Sequence, residues 1–150
     1  MRPIPSLPEV EAYLHQNIPL SAGMGVSVAA CQASGVTLRA PLARNINQHS
    51  TVFGGSTSAV AILSAWTWLH FALLSAGQTT RLVIQRSTVD YLAPITGDFE
   101  ARCPGLLSVD LDEFLRTIER YGKARATLTS ALTCDGVKVA AFTGDYVASR

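Results

Sequence analysis

The chain has 150 residues, of which 48% are apolar and 15% charged, and its formal net charge is +1. This single-domain length and apolar content exclude a disordered linker, and the near-neutral charge gives no sign of a nucleic-acid-binding surface. The first residues contain three prolines and no apolar run, so we expect no secretory signal.

Neither the cysteines nor the histidines have the spacing of a metal site or a disulfide framework. They are Cys31, Cys103, Cys134, His15, His49 and His70. We therefore expect no bound metal and buried free thiols in a cytoplasmic protein. His70 is expected to be a buried histidine with satisfied hydrogen bonds.

The first predicted elements are a short helix and a hairpin. Ser6–Gln16 is predicted to be helical because Ser6 and Glu9 have capping-box spacing, and Pro19 limits the extension of this helix. Alternating apolar residues and a Ser-Gly turn then predict two strands. These strands are Met24–Ala30 and Val36–Leu42.

The 36 residues between Arg44 and Arg81 contain no charged side chain. A loop over residues 44–53 leads to two glycines, which open a long apolar helix that ends near Gly77. The most apolar part of this helix, Ala59–Leu74, has 16 residues. A membrane-spanning helix needs about 20, so the segment is typical of a buried core helix, with Trp66, Trp68 and Phe71 in the core or at a subunit interface.

The second half of the chain predicts four strands and one amphipathic helix. The helix is expected to start at Asp110, with Glu113 completing a capping box, and Asp135-Gly136 is a two-residue hairpin turn. The strands are Arg81–Leu92, Phe99–Cys103, Lys123–Cys134 and Val137–Ala148. The fold class is thus α+β, an antiparallel sheet of about six strands curled around a long helix in one domain over residues 1–150.

Residues 45–56, NINQHSTVFGGS, join a polar loop to the start of the long helix. The first N–H groups of a helix lack internal partners and form the positive end of its dipole, and glycines let a ligand approach the backbone. This pattern is suited to polarising a carbonyl oxygen. We expect the Asn47 amide, or alternatively that of Asn45, to donate to the same oxygen. Thr51 and Ser56 are expected to cap the helix.

This segment resembles the hotdog-fold acyl-thioester enzymes, whose motif is Asn-x-x-Gly-x-x-His-Gly-Gly at the start of the central helix. Asn47 and the two glycines match that motif, whereas Ser50 takes the place of its first glycine and Phe53 that of its histidine. Pro41–Ser56, Asp90–Gly97 and the tail Cys134–Ser149 together resemble a narrower subgroup. It comprises the thioesterase-like proteins related to the C-terminal domain of YiiD, and it includes malonyl-ACP decarboxylases.

The resemblance implies a homodimer, or a tetramer, with the active site between subunits. The thioester carbonyl would be polarised by the Gly55 N–H, and Asn47 would be the polar catalytic side chain, with His49 as a candidate proton donor. Residues expected to bind the substrate are Asn45, Thr51, Phe53, Gly54, Ser56 and Asp90. No cofactor is expected, because phosphopantetheine arrives on the substrate.

The reaction is expected to be decarboxylation of malonyl-ACP to acetyl-ACP, because the charge-free loop and helix offer no carboxylate for hydrolysis. A thioesterase acting on acyl-CoA or acyl-ACP is the alternative, with Asp90 or a group of a partner subunit as its base. A non-catalytic hotdog protein that binds acyl carriers is the third hypothesis. Basic residues after the gap are candidates for steering the acidic carrier protein. They are Arg116, Arg120, Lys123 and Arg125.

Overall fold

The computed structural model describes residues 1–150 and contains four helices and six strands. The helices are α1 (Leu7–Asn17), α2 (Pro19–Gly23), α3 (Gly54–Ser75) and α4 (Ser108–Tyr121). The strands are β1 (Ser27–Gln32), β2 (Gly35–Ala40), β3 (Arg81–Tyr91), β4 (Phe99–Cys103), β5 (Lys123–Cys134) and β6 (Val137–Ser149). The predicted α+β class is confirmed.

All six strands form one sheet in the order β1-β2-β4-β5-β6-β3, and every neighbouring pair is antiparallel. The longest hairpin, β5–β6, turns at Asp135-Gly136, where both residues have positive φ (50° and 75°). These angles belong to the tight turn that the sequence predicts. Strands β1 and β3 are the two edges of the sheet.

Helix α3 is the centre of the core and packs against β2, β3, β4, β5 and β6. By length and composition it could cross a membrane, since it has 22 residues and its most apolar stretch has a mean hydropathy of 1.4. However, 61% of that stretch is buried inside the fold. Such burial is typical of a core helix that the sheet encloses, as predicted.

The two edges of the sheet differ in how they are covered. Helix α1 lies against β1, where Glu11 Oε1 accepts a hydrogen bond from the Val28 N–H (2.9 Å) and His15 Nε2 lies 2.7 Å from the Val26 carbonyl oxygen. No element covers β3, which has 11 residues and a half-exposed Val83 (47%). The outer edge of β3 is therefore available for pairing.

Several predicted boundaries and caps are corrected by the structure. Residues 24–26 precede β1, because the chain after Pro19 forms the additional short helix α2. Helix α4 begins two residues earlier than predicted, at Ser108, and its cap position is Leu107 rather than Asp110. Ser6 precedes α1, but its hydroxyl binds Glu9 and not a backbone N–H.

A few polar side chains lie in or beside the core, and most of them have hydrogen-bond partners. Ser64 donates to the Ala61 carbonyl (2.7 Å) and is in short contact with Ser130, while Tyr146 donates to the Ile62 carbonyl (2.6 Å). His70 stacks between Tyr13 and Trp66, but its Nε2 has no hydrogen-bond partner. The expectation of a satisfied histidine is therefore wrong.

All three cysteines are free and buried, as predicted. Burial raises the pKa of the Cys31 and Cys103 thiols to about 11, which keeps both in the unreactive protonated form.

Candidate active site

The start of α3 presents two unpaired backbone donors. Phe53 occupies the cap position, and its carbonyl oxygen accepts the N–H groups of Ser56 (3.0 Å) and Thr57 (3.1 Å). The N–H groups of Gly54 and Gly55 donate to no protein acceptor. Both lie at the positive end of a 22-residue helix, so they are available to an oxygen atom of a ligand.

Neither glycine is required by a left-handed backbone, because their φ angles are not positive. The surroundings explain them instead. A Cβ on Gly55 would collide with the ring of Phe53, which is 59% exposed and free to move, whereas the Tyr91 ring lies against Gly54 at an ordinary distance of 3.6 Å. The missing Cβ of Gly55 thus leaves room for the Phe53 ring, which would have to turn aside for a ligand to approach the backbone on that side.

No side chain caps α3, so the predicted capping by Thr51 and Ser56 is wrong. The loop carries the Thr51 hydroxyl to Asn47 instead, and the Thr57 hydroxyl contacts the Phe53 carbonyl oxygen at 3.4 Å. The consequence is that the helix start keeps its unpaired donors.

Asn47 lies at the centre of a tight loop. Its Oδ1 accepts the N–H groups of His49 (2.9 Å) and Thr51 (3.1 Å), and its Nδ2 donates to Thr51 Oγ1 at 2.9 Å. Its backbone N–H also donates to the Thr51 carbonyl (2.8 Å). Since an amide NH₂ has two protons, one N–H of Asn47 remains free for a ligand.

Ser50 explains one departure from the hotdog motif. It follows the Asn47 turn with φ = 61°, in the left-handed region where glycine is favoured. The motif has glycine at this position, so the serine keeps the backbone shape that the motif requires. His49, next to it, is exposed, and its imidazole makes no hydrogen bond.

Asn45 has a different environment from Asn47. It is 3% exposed, and its Nδ2 donates to the carbonyl oxygens of Met24 and Pro41, both at 2.8 Å. Its carbonyl oxygen accepts the Phe53 N–H (2.7 Å), so Asn45 fastens the loop to the start of α3. Only its buried Oδ1 is unpartnered. These contacts favour Asn47 over Asn45 as the amide that donates to a substrate.

A groove of about 430 Å³ runs beside the start of α3, between the loop and the end of β3. It contains no carboxylate, imidazole or basic side chain. Its lining residues are Thr51, Val52, Gly54, Thr57, Tyr91, Leu92, Ala93, Pro94 and Ile95. Of the predicted site residues, only Thr51 and Gly54 line it; Gly55 is the next residue in the chain.

Tyr91 also lines this groove, although the sequence does not predict it as a site residue. Its hydroxyl donates to the Gly54 carbonyl oxygen at 2.9 Å, across 37 positions of the chain. No sequence signal marks that contact, although Tyr91 lies in the Asp90–Gly97 segment. Asp90 precedes it on β3, and because neighbouring side chains of a strand point to opposite faces, Asp90 faces away from α3 within the protomer.

The four basic candidates for carrier binding are distant from the groove within one protomer. Helix α4 lies near the end of α3, because Gln78, just after α3, donates to Glu119 of α4 (3.5 Å). The start of β5 lies near the start of β3, because Lys123 and Arg81 both pair with Ser149 of β6. This places Arg116, Arg120, Lys123 and Arg125 toward the far end of α3. That helix is about 33 Å long. A single protomer does not bring them beside the groove, and their role in carrier binding stays a prediction.

Comparison with known proteins agrees with this architecture. The sequence model of the family described as "Putative thioesterase (yiiD_Cterm)" matches residues 7–150. A crystal structure of a "putative thioesterase" from Shewanella oneidensis is 29% identical, with a TM-score of 0.86 over 96% of this chain and 97% of that one. A protein of unknown function from Chlorobaculum tepidum is 26% identical, with a TM-score of 0.91 over 95% and 93%.

A third structure, a "probable thioesterase" from Pseudomonas aeruginosa, is 21% identical and has a TM-score of 0.82 over 99% of this chain and 97% of that one. At this identity it shows the fold alone. The family match, the enclosed central helix and the six-stranded sheet lead to one conclusion: the chain belongs to the hotdog-fold family described as "Putative thioesterase (yiiD_Cterm)".

Proposed function

We propose that this protein decarboxylates malonyl-ACP to acetyl-ACP, which primes fatty acid synthesis. The observation that carries the proposal is the lining of the groove beside α3, which contains no carboxylate, imidazole or basic side chain. Family membership supports action on an acyl thioester at the coarser level. The chemistry of the groove then favours a reaction that needs no activated water.

Decarboxylation needs an electron sink rather than a base. The bond between the α-carbon and the carboxylate carbon breaks, CO₂ leaves, and its electron pair moves into the thioester carbonyl to form an enolate. A proton, supplied by water or by His49, then adds to the α-carbon and gives the acetyl thioester. The charge that develops on the carbonyl oxygen is the feature that the enzyme must stabilise.

The groups at the start of α3 suit that task. The free Gly55 N–H would donate to the developing oxyanion, and the remaining N–H of Asn47 would donate to the same oxygen. Both donors are neutral, so they favour an enolate oxygen without trapping the substrate carboxylate as a cation would. Exposed His49 is the candidate that returns the proton.

Hydrolysis by a thioesterase is the second candidate function, favoured by the name of the family and of its structural relatives. It requires a base that activates water. No such group lines the groove within one protomer, so hydrolysis would depend on a residue from another subunit.

We also propose that two copies pair through their β3 edges. The β1 edge is occupied by α1, whereas β3 is open, and exposed apolar residues lie on β3 and around the start of α3. These residues are Ile46, Phe53, Val83, Tyr91 and Leu92. In an antiparallel pair, the Arg81 end of one β3 lies beside the Tyr91 end of the other. The partner's basic residues would then approach the site and meet the acidic carrier in the cytoplasm.

A sedimentation measurement tests the pairing. The wild-type protein should have twice the 16.0 kDa mass of the chain, and Val83→Lys should shift it toward the monomer because an inserted charge blocks edge pairing. A wild-type monomer at micromolar concentration would refute the proposed dimer.

The reaction is tested by incubating the purified protein with malonyl-ACP and measuring intact carrier masses. We expect acetyl-ACP and CO₂ to accumulate together, with little free carrier. A matched incubation with malonyl-CoA separates recognition of the carrier from recognition of phosphopantetheine. Free carrier without acetyl-ACP would overturn the decarboxylase in favour of a thioesterase, and no turnover of any acyl thioester would overturn both.

A further inference from the structure

The peptide group between Gly54 and Gly55 accepts a side-chain hydrogen bond at the C=O end of its dipole and has a free donor at the N–H end. Its N–H is the unpaired donor of Gly55, and its C=O belongs to Gly54, which receives the Tyr91 hydroxyl at 2.9 Å. The two ends are parts of one conjugated unit with partial double-bond character. A hydrogen bond to the oxygen therefore withdraws electron density from the nitrogen and makes the N–H a stronger donor.

We propose that Tyr91 is a positioning residue that holds this peptide group and strengthens the Gly55 N–H as an oxyanion donor. The inference rests on the proposed function, which assigns the Gly55 N–H to the thioester oxygen. Tyr91 acts through the peptide group and need not touch the substrate carbonyl.

The end of β3 holds Tyr91 firmly in place. Tyr91 is paired with Ala140 in the ladder to β6, and the next residue, Leu92, donates its N–H to the Val139 carbonyl at 2.9 Å. The ring lies against Gly54, with Cε1 and Oη 3.6 Å from the position that a Cβ would take there. The sheet thus fixes the backbone of Tyr91 beside the first turn of α3, and the hydrogen bond to the Gly54 carbonyl oxygen orients its hydroxyl.

The size of the effect follows from two general magnitudes. Loss of one oxyanion donor typically lowers the rate about 10²- to 10³-fold. One added hydrogen bond strengthens its neighbour in a chain by about 10–30%. We apply this fraction to the logarithm of the rate factor that one oxyanion donor contributes. Loss of the Tyr91 hydroxyl should therefore lower kcat about 2- to 8-fold. The KM should change little, because substrate binding does not use this bond.

The test compares Tyr91→Phe with Tyr146→Phe. Both variants remove a hydroxyl that donates to a carbonyl oxygen of α3, but the Tyr146 partner is Ile62, in the middle of the helix. Tyr91→Phe should lower kcat by the stated factor at unchanged KM, and Tyr146→Phe should leave kcat within about twofold of wild type. Circular dichroism melting checks that both variants fold.

A second variant separates polarisation from simple packing. Site-specific replacement of Tyr91 by 3-fluorotyrosine makes the phenol a stronger hydrogen-bond donor while keeping the ring. At a pH where the phenol stays protonated, kcat should exceed the wild-type value. A merely structural hydroxyl would not give a rate that follows phenol acidity, so an unchanged or lower kcat with 3-fluorotyrosine would overturn the inference.

Nuclear magnetic resonance gives a readout that does not depend on turnover. Withdrawal of density through the Gly54 carbonyl deshields the Gly55 nitrogen, so its ¹⁵N resonance should move upfield in Tyr91→Phe and stay in place in Tyr146→Phe. An unmoved resonance would overturn the inference even if the enzyme is active. Wild-type inactivity toward every acyl thioester, with a moved resonance, would instead refute the proposed function alone.

Discussion

Asn47 is the residue at which a structural role and a catalytic role can be separated most clearly. Four side-chain hydrogen bonds hold its loop: three accepted by Oδ1, from the N–H groups of His49 and Thr51 and from the Thr51 hydroxyl, and one donated by Nδ2 to the Thr51 hydroxyl. Replacing the amide by aspartate keeps the three accepted bonds and removes the donor. Replacing it by alanine removes all four.

The two substitutions should differ in stability and agree in activity. At about 0.5–1.5 kcal/mol for each bond, Asn47→Ala should cost about 1–3 kcal/mol of unfolding free energy, because the loop is only partly buried. That loss corresponds to a Tm lower by about 2–4 °C for each kcal/mol. Asn47→Asp should cost less than half as much, whereas both variants should lower kcat about 10²- to 10³-fold because each lacks the oxyanion donor.

The assay is the initial rate of acetyl-ACP formation from malonyl-ACP, followed by intact mass spectrometry, beside circular dichroism melts of the same samples. Thr51→Val is a useful control, since it removes the hydroxyl partner but leaves the Asn47 amide free to reach a substrate. If Asn47→Asp keeps wild-type kcat while Asn47→Ala loses it, Asn47 only organises the loop, and the assigned donor role is refuted.

Three further predictions concern the core. Gly105→Ala should lower the free energy of unfolding, measured in urea, by about 2–4 kcal/mol. Its φ is 75°, and a Cβ would collide with the buried Trp68 ring. Gly122→Ala, with φ of 74° and no neighbouring atom, should lose only the free energy due to backbone strain, and equal losses in the two variants would contradict the packing argument. Ser64→Ala should lower the free energy of unfolding by about 1–3 kcal/mol, because it leaves the buried Ser130 hydroxyl without a partner. Adding Ser130→Ala should lower it little further, and fully additive losses in a double-mutant cycle would contradict a hydrogen bond between the two hydroxyls. Burial lowers the pKa of His70 below its ordinary 6.5, so the unfolded chain binds the proton more tightly than the folded one. The contribution of His70 to stability should therefore be constant above pH 7 and fall as the pH drops below about 6.5. His70→Phe should flatten the dependence of the urea midpoint on pH, and an unchanged slope would contradict the role assigned to His70.

Much of the fold could be predicted because it depends on local chemistry. The glycines that open α3, the apolar run that buries it, and the Asp135-Gly136 turn that closes β5–β6 are read from adjacent residues. The alternating strands follow from the two-residue period of side chains. Errors arose where neighbours compete: α2 displaced the predicted start of β1, and Leu107 rather than Asp110 precedes α4.

The candidate site was only partly predictable. The charge-free loop and the paired glycines are properties of the sequence itself, and they predict the unpaired N–H donors that the structure has at the start of α3. The sequence could not show whether Asn47 or Asn45 has the free amide N–H, because this depends on the hydrogen-bond partners that each side chain meets in the fold. The place of the basic residues toward the far end of α3 was not predictable either, because it depends on how α4 and β5 pack in the fold.

The amino-acid sequence alone accounts for the neutral helix α3 and for the absence of charge from the loop before it. The open edge of the sheet and the hydroxyl that reaches the Gly54 carbonyl depend on tertiary packing. Tyr91 and Gly54 are 37 residues apart, and their contact exists because β3 and α3 are packed together by core residues between them. Local propensities set the elements, but such contacts depend on how the elements pack.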